Sequence, residues 1–250
     1  LTREKKFAHF WSKLNDYVIH LTYVRFRICV RSVGLMPKNV VIYGAGGHAT
    51  SIAGVLTRLG FTISFFIDEM NAKDSKFGIP VLKSLNDIRK RGRLSLVVAV
   101  GDNFRRQQAF DKIKLIQSSI HLPTIIDPSS IICTKVEVGQ GTVIMPGTVL
   151  GTRVTVGDFC IINTKSTIDH ESNMCDFASL APGVTLAGNV QIGERSAIMM
   201  NAAVSHEIEI GKDCLIGASS FVASNLLDNS VAVGAPSKVI RMRDKEEKYY

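Results

Sequence analysis

The chain has 250 residues, 46% apolar and 21% charged, which is enough for one large domain or two modest ones with proper cores and excludes a disordered or fibrous chain. No uncharged apolar run approaches the roughly 20 residues of a membrane-spanning helix; the longest, such as Ser95 to Val100, have strand length, so no integral membrane segment is expected. The formal charge of +8 is concentrated in residues 1–35, which hold seven Lys or Arg against two acids; the mildly basic remainder lacks the aromatic-basic stripes or helix-turn-helix pattern of a nucleic-acid binder.

Residues 1–35 alternate basic and apolar groups (Arg25, Arg27 and Arg31 among Tyr23, Phe26, Ile28 and Val30) with no clean period and no signal-peptide pattern. We expect a basic extension outside the chemistry, with Met36, before Pro37 and Lys38, as a natural start; the alternative is a peripheral membrane-binding helix. Five cysteines (Cys29, Cys133, Cys160, Cys175, Cys214) at wide spacing with no CxxC pair predict neither a disulfide framework nor a metal site, and a reducing, cytoplasmic setting.

From Val40 the pattern becomes strand, glycine turn, helix, strand: Val40 to Tyr43, Gly44-Ala45-Gly46-Gly47-His48, a helix to Leu59, then Thr62 to Ile67 ending at Asp68. A second round predicts a helix near Leu85 to Lys90, a strand at Leu94 to Val100 closing on Gly101-Asp102-Asn103, and a helix at Phe104 to Gln117. The alternation predicts a Rossmann-like α/β domain over 36–125, a short parallel sheet flanked by helices.

After Pro128 the period changes. Every sixth residue from Ile126 to Val222 is apolar, seventeen positions without a slip, which is the signature of a hexapeptide β-helix. Two residues before each lies a second inward site, small or branched (Thr142, Ser166, Ser172, Ala178, Ser196), and glycine often follows the apolar residue (Gly139, Gly151, Gly157, Gly193), as expected for a sharp corner. Three six-residue faces make a coil, coils stack about 4.8 Å apart, and about five coils fill 126–241, leaving 242–250 as a tail. Flat outer faces suggest a trimer of parallel prisms. The four cysteines of this region fall on core or corner positions and read as structural.

Two features can carry chemistry. The turn Gly44-Ala45-Gly46-Gly47-His48-Ala49 follows a strand, precedes a helix and has Asp68 at the end of the next strand, a placement suited to phosphate or ribose. With about 90 residues and not two mononucleotide halves, a nucleotide-linked substrate is favoured over a dinucleotide. In the coils, His170-Glu171 and His206-Glu207 share one hexad position and lie two coils apart, so they fall in one corner column with Gly188 between them and Thr152 and Ser224 at its outer steps. A histidine beside a carboxylate is a suitable general base; the repeat leaves the choice between the two open.

The GAGGH turn, Val98 to Asn103, the Pro123 to Ser130 segment and the Asp-His-Glu of Ile168 to Gly183 together resemble the bacterial sugar acetyltransferases, a family of nucleotide-sugar N-acetyltransferases acting on 4-amino-4,6-dideoxy sugars and of sialic acid O-acetyltransferases. The resemblance runs from Val40 to about Arg241 and implies a left-handed β-helix with acetyl-CoA as co-substrate and no metal. It implies His170 as general base and Glu171 as the group that raises its basicity. It implies contact of Gly46, Gly47, His48, Asp68, Glu69 and Gly101 with the nucleotide-sugar, Asn163 near the sugar, and coenzyme A passing Ser179, Met200 and Ala218 between neighbouring prisms of a homotrimer. The implied reaction is acetylation of a nucleotide-linked amino sugar for surface glycan; the alternatives are O-acetylation of sialic acid or another surface sugar, and a non-catalytic trimeric scaffold or sensor. Ser179 stands where family members can carry histidine, Met199-Met200 replace a glycine-containing turn, and Cys175 replaces the glycine before Asp176.

Overall fold

The computed structural model describes residues 29–30, 39–70, 73–88, 94–116 and 120–249. Apart from a strand at Cys29–Val30 (β1), the expected basic extension lies outside the described residues, as do 89 and 90 of the expected second helix.

The α/β unit is a five-stranded sheet of β2 (Asn39–Tyr43), β3 (Thr62–Ile67), β4 (Ser75–Lys76), β5 (Ile79–Leu82) and β6 (Ser95–Val98), in the order β4-β5-β3-β2-β6. The expected parallel sheet is present, with one antiparallel strand added at its edge. β2, β3, β5 and β6 pair in parallel, but β4 joins β5 antiparallel through a tight turn at Phe77-Gly78, both at positive φ, so the sheet is mixed. Within the described part of the helix expected near Leu85 to Lys90 stands a 3-10 turn, Leu85–Ile88. Side chains alternate across the sheet: Val40, Ile42, Phe66 and Val97 pack on helix α1 (Gly47–Arg58), while Val41, Phe65, Ile67, Leu96 and Val98 pack on helix α2 (Asn103–Ile116) and its surroundings.

From Ile125 the chain forms seventeen two-residue strands, β7 (Ile125–Ile126) to β23 (Phe221–Val222), in three parallel sheets in which each residue pairs with the one eighteen further on, as Val143 with Ile161 and Thr167 with Thr185. This is the expected β-helix. The second residue of each strand is the predicted apolar one; Ile144, Leu150, Ile162, Leu180 and Ile198 are fully buried, each contributing about 2 kcal/mol of transfer free energy. Buried hydroxyls at the companion sites bind carbonyls at the corners: Ser166 Oγ donates to Ala181 O (2.9 Å), Ser172 Oγ to Ala187 O (3.0 Å) and Ser196 Oγ to Gly211 O (2.6 Å). A hairpin of β24 (Ser230–Gly234) and β25 (Ser237–Met242) closes the far end.

The corners differ from expectation in one respect. The left-handed residue is not the glycine after each strand but the residue two places later, every sixth from Lys135 to Ser219 and mostly not glycine. Gly139, Gly151, Gly157 and Gly193 are needed for space: a Cβ at Gly193 would lie 2.4 Å from Gly211 C in the next coil, and one at Gly151 would lie 2.7 Å from His170 N.

Candidate active site

The glycine turn is held rigidly from outside. Gly44, at φ +105, could carry no side chain, since a Cβ would meet Ala99 O at 2.8 Å. The Ala45 N–H donates to Asp68 Oδ2 (2.7 Å), the Met70 N–H to Asp68 Oδ1 (3.0 Å), and Lys76 Nζ to Ala45 O and Gly46 O (2.9 and 3.2 Å). Asp68 therefore fastens the turn to the end of β3. Gly46, Gly47 and Gly101 are different: none has positive φ, and a Cβ on any of them would meet nothing within 4 Å. Neither backbone conformation nor packing calls for glycine there, and the open space is of the kind a ligand approaching the start of α1 would use, where amide N–H groups await an anion. A cleft of about 510 Å³ beside this turn collects Gly46, Asp68 and Glu69 with Tyr43, Arg105 and Lys112. Burial, with Glu69 and Asp68 nearby, pushes the Tyr43 phenol up to about 12, so it stays protonated.

The α/β unit meets the coils along one corner column and, through Ile125, Val143 and Met145, on the face beside it. Where that corner would face water in a bare prism it carries Phe159 and Phe177, stacked at 5.3 Å, with Phe110 of α2 at 4.4 Å from Phe159. Arg106, 1% exposed, lies beneath them with every N–H used: Nε donates to Phe159 O (2.8 Å), Nη1 to Val100 O (3.0 Å) and Gly101 O (2.9 Å), Nη2 to Phe177 O (2.7 Å) and Asn103 Oδ1 (2.7 Å). Burial pulls its pKa down to about 10, which leaves it charged at neutral pH. One guanidinium thus joins two stacked coils to the Gly101 turn. Asn103 Nδ2 extends the seam to Arg195 O and Ser196 O (3.0 and 3.1 Å).

Beside this seam is a cavity of about 280 Å³, walled by His48 and Gly101 from the α/β unit and by Asn163, Ser179 and Met199 from the coils, with Tyr249 of the tail. His48 Nε2 is buried and has no hydrogen-bond partner among the described residues, and burial together with the charge of Arg106 pulls the ring's pKa down to about 4, so the imidazole is neutral. Four of the sequence candidates meet here. Met200 and Ala218 do not line the cavity; they stack one coil apart on the adjoining corner, Met200 51% exposed.

His170 and Glu171 occupy a different corner, one prism face from Asn163, beyond the strand Thr167–Ile168. His170 Nδ1 lies 3.2 Å from Glu171 Oε2, and the other Glu171 oxygen is held by Arg153 one coil before. The hydrogen bond to His170, with the Arg153 charge, keeps the Glu171 carboxyl below the usual carboxylate range. The imidazole lies over Gly188, where a Cβ would come within 2.6 Å of Cε1 and Nε2. His206 is set differently. Its ring contact among the described residues is Ser205 Oγ at 3.4 Å, and no carboxylate orients it. Sequence reasoning gave no role to Arg106 or Tyr249, and no local pattern marks them; Met199 was visible only as a departure from the family's turn, and Gly188 only as a gap in the histidine column.

Among the described residues no group of three or more His, Cys, Asp or Glu could hold a metal ion, and no helix is long and apolar enough to cross a membrane. Cys160 and Cys214 are buried, and burial pushes the Cys160 thiol up to about 12.

A hexapeptide β-helix bearing an α/β unit with an open glycine turn and a carboxylate-oriented histidine defines an acyltransferase of the left-handed β-helix class. Comparison with known proteins narrows the class. The PglD N-terminal domain family matches residues 39–113, and the bacterial transferase hexapeptide family (six repeats) matches residues 189–224. Perosamine N-acetyltransferase from Caulobacter crescentus, solved with CoA and GDP-perosamine, is 32% identical, with a TM-score of 0.75 over 83% of this chain and 98% of that one. The acetyltransferase domain of PglB from Neisseria gonorrhoeae, solved with acetyl coenzyme A, is 28% identical, with a TM-score of 0.76 over 82% of this chain and 100% of that one. Galactoside O-acetyltransferase from Escherichia coli is 38% identical over 68 residues, which span 27% of this chain and 30% of that protein. The chain belongs to the bacterial sugar acetyltransferase family that includes perosamine N-acetyltransferase.

Proposed function

We propose that this protein transfers the acetyl group of acetyl-CoA to the amine of a nucleotide-linked amino sugar, as a trimer, in a cytoplasmic step of surface-glycan assembly. The observation that carries the reading is the seam cavity, where His48 and Gly101 of the glycine-rich unit face Asn163 and Ser179 of the coils. The cleft with Gly46, Asp68 and Glu69 suits the nucleotide, Gly47 opens the helix beside it, and the seam suits the sugar. His170 accepts a proton from the amine as its nitrogen attacks the thioester carbonyl. The new C–N bond forms, the C–S bond breaks, and the proton leaves with coenzyme A as its thiol. Glu171 on Nδ1 holds the ring so that Nε2 faces the amine. Because the corner with His170 lies one prism face from the cavity of its own chain, packing of parallel prisms would bring the base of one copy to the seam of the next. Coenzyme A would then run in the groove between copies, past Ser179, Met200 and Ala218.

A second reading, transfer to a sugar hydroxyl, is favoured by the match to galactoside O-acetyltransferase. Incubating the protein and acetyl-CoA with a panel of UDP-, GDP- and dTDP-linked 4-amino-4,6-dideoxy sugars, and with free sialic acid, separates the two by thiol release. Turnover of an aminosugar nucleotide is expected; acetylation of sialic acid alone would overturn N-transfer.

A further inference from the structure

The tail beyond β25 turns back across the end of the coils and returns to the start of α2. Arg243, 7% exposed, anchors it: its N–H donates to Asn229 O (2.9 Å), Nη1 to Asp213 O (3.3 Å) and Nη2 to Glu247 O. Arg241 grips the Glu247 carboxylate at 2.6 and 2.9 Å. The turn so formed delivers one side chain inward. The Tyr249 ring lies 5.0 Å from the Arg243 guanidinium, packs with Met199 against the cluster of Ala197, Leu215 and Val231, and lines the seam cavity together with His48. Its hydroxyl accepts the Asn103 N–H (3.2 Å) and donates to Arg195 O (3.4 Å). The ring is therefore fixed by the Arg243 guanidinium over one face and by the hydrogen bonds of its hydroxyl at the junction of Gly101 turn and corner, and it borders the cavity.

We infer that Tyr249 is a specificity-determining residue, its ring forming the wall against which the sugar of the nucleotide-sugar packs. This rests on the proposed function. A fixed aromatic face suits the apolar face of a deoxyhexose, and an aromatic ring with a tethered hydroxyl holds its position at small entropic cost. The cavity, at about 280 Å³, has room for one sugar ring.

The test uses the full chain and the member of the aminosugar-nucleotide panel that the wild type acetylates. Tyr249→Ala should raise KM for the sugar nucleotide about tenfold, with KM for acetyl-CoA unchanged and kcat nearly so. Tyr249→Phe, which keeps the ring, should stay close to wild type. Arg241→Ala, which loosens the turn that delivers Tyr249, should raise the same KM by a smaller factor and leave KM for acetyl-CoA unchanged. If Tyr249→Ala moves neither KM, or moves both alike with a lowered melting temperature, the ring is a structural strap and the assignment fails. A rise in KM for acetyl-CoA in Arg241→Ala also overturns it. If the wild type acetylates no member of the panel, the proposed function fails and this inference with it, an outcome distinct from failure of the Tyr249 variants alone.

Discussion

In the coils each inward residue from Ile126 to Val222 recurs after six residues and pairs after eighteen, so that one turn of the prism is held by the turns on either side. In the α/β unit no residue repeats another, and the unit is fastened to the coils at a few particular points, with Arg106 the most heavily bonded. The comparison teaches where the chemistry is found. The repeat supplies an indifferent rigid surface, and the candidate site lies where that repeat carries something it does not need for itself: Phe159 and Phe177 at a corner under α2, Gly188 beneath a histidine, and Asn163 and Ser179 facing the seam.

The largest expected effect breaks the fastening. Arg106→Ala orphans the carbonyls of Phe159, Phe177, Val100 and Gly101 and should cost about 4 kcal/mol, measured by denaturant titration; Arg106→Lys, which lacks the planar fork, should not restore it. A loss below about 1 kcal/mol would mean that the seam is held by the aromatic cluster instead. His48 gives a smaller, pH-dependent effect. Its folded pKa of about 4 lies below the ordinary 6.5, so between those values the unfolded chain binds a proton that the folded chain does not. This contribution is fully present above pH 6.5 and is lost as the pH falls toward 4. Over that window His48→Gln should lose about 2 kcal/mol less stability than the wild type; parallel curves would contradict the neutral, buried imidazole. Smallest in energy is Gly188→Ala. The atoms nearest the new methyl belong to the exposed His170 ring, which must shift, so the melting temperature should hold while turnover drops about tenfold. Unchanged turnover would show that the column does not seat the base.

Much of the fold is legible in the sequence for a physical reason. An interior that admits one apolar and one small residue per face writes itself as a period, and all seventeen strands fall where that period puts them. The glycine turn and β3 are as clear, because strand, tight turn and helix each have their own residue preferences. The antiparallel β4 is not, since two polar residues, Ser75 and Lys76, carry no strand signal. The corner glycines were misread because a need for space and a need for positive φ both call for glycine. The candidate site was legible in part: a column with two histidines could be drawn, but the contact of Glu171 with His170, the slot over Gly188 and the absence of any oriented carboxylate at His206 required side-chain positions. Arg106 was invisible, since beside Arg105 in a polar helix nothing separates the buried arginine from the exposed one.

The central claim is that His170 is the base of an acetyl transfer to a nucleotide-linked amino sugar. Thiol release from acetyl-CoA with the accepted aminosugar nucleotide, compared among the wild type, His170→Ala and His206→Ala, tests it most directly. His170→Ala should lower turnover about a hundredfold or more while leaving the oligomer intact, and His206→Ala should stay near wild type. Near-normal turnover in His170→Ala would contradict the account.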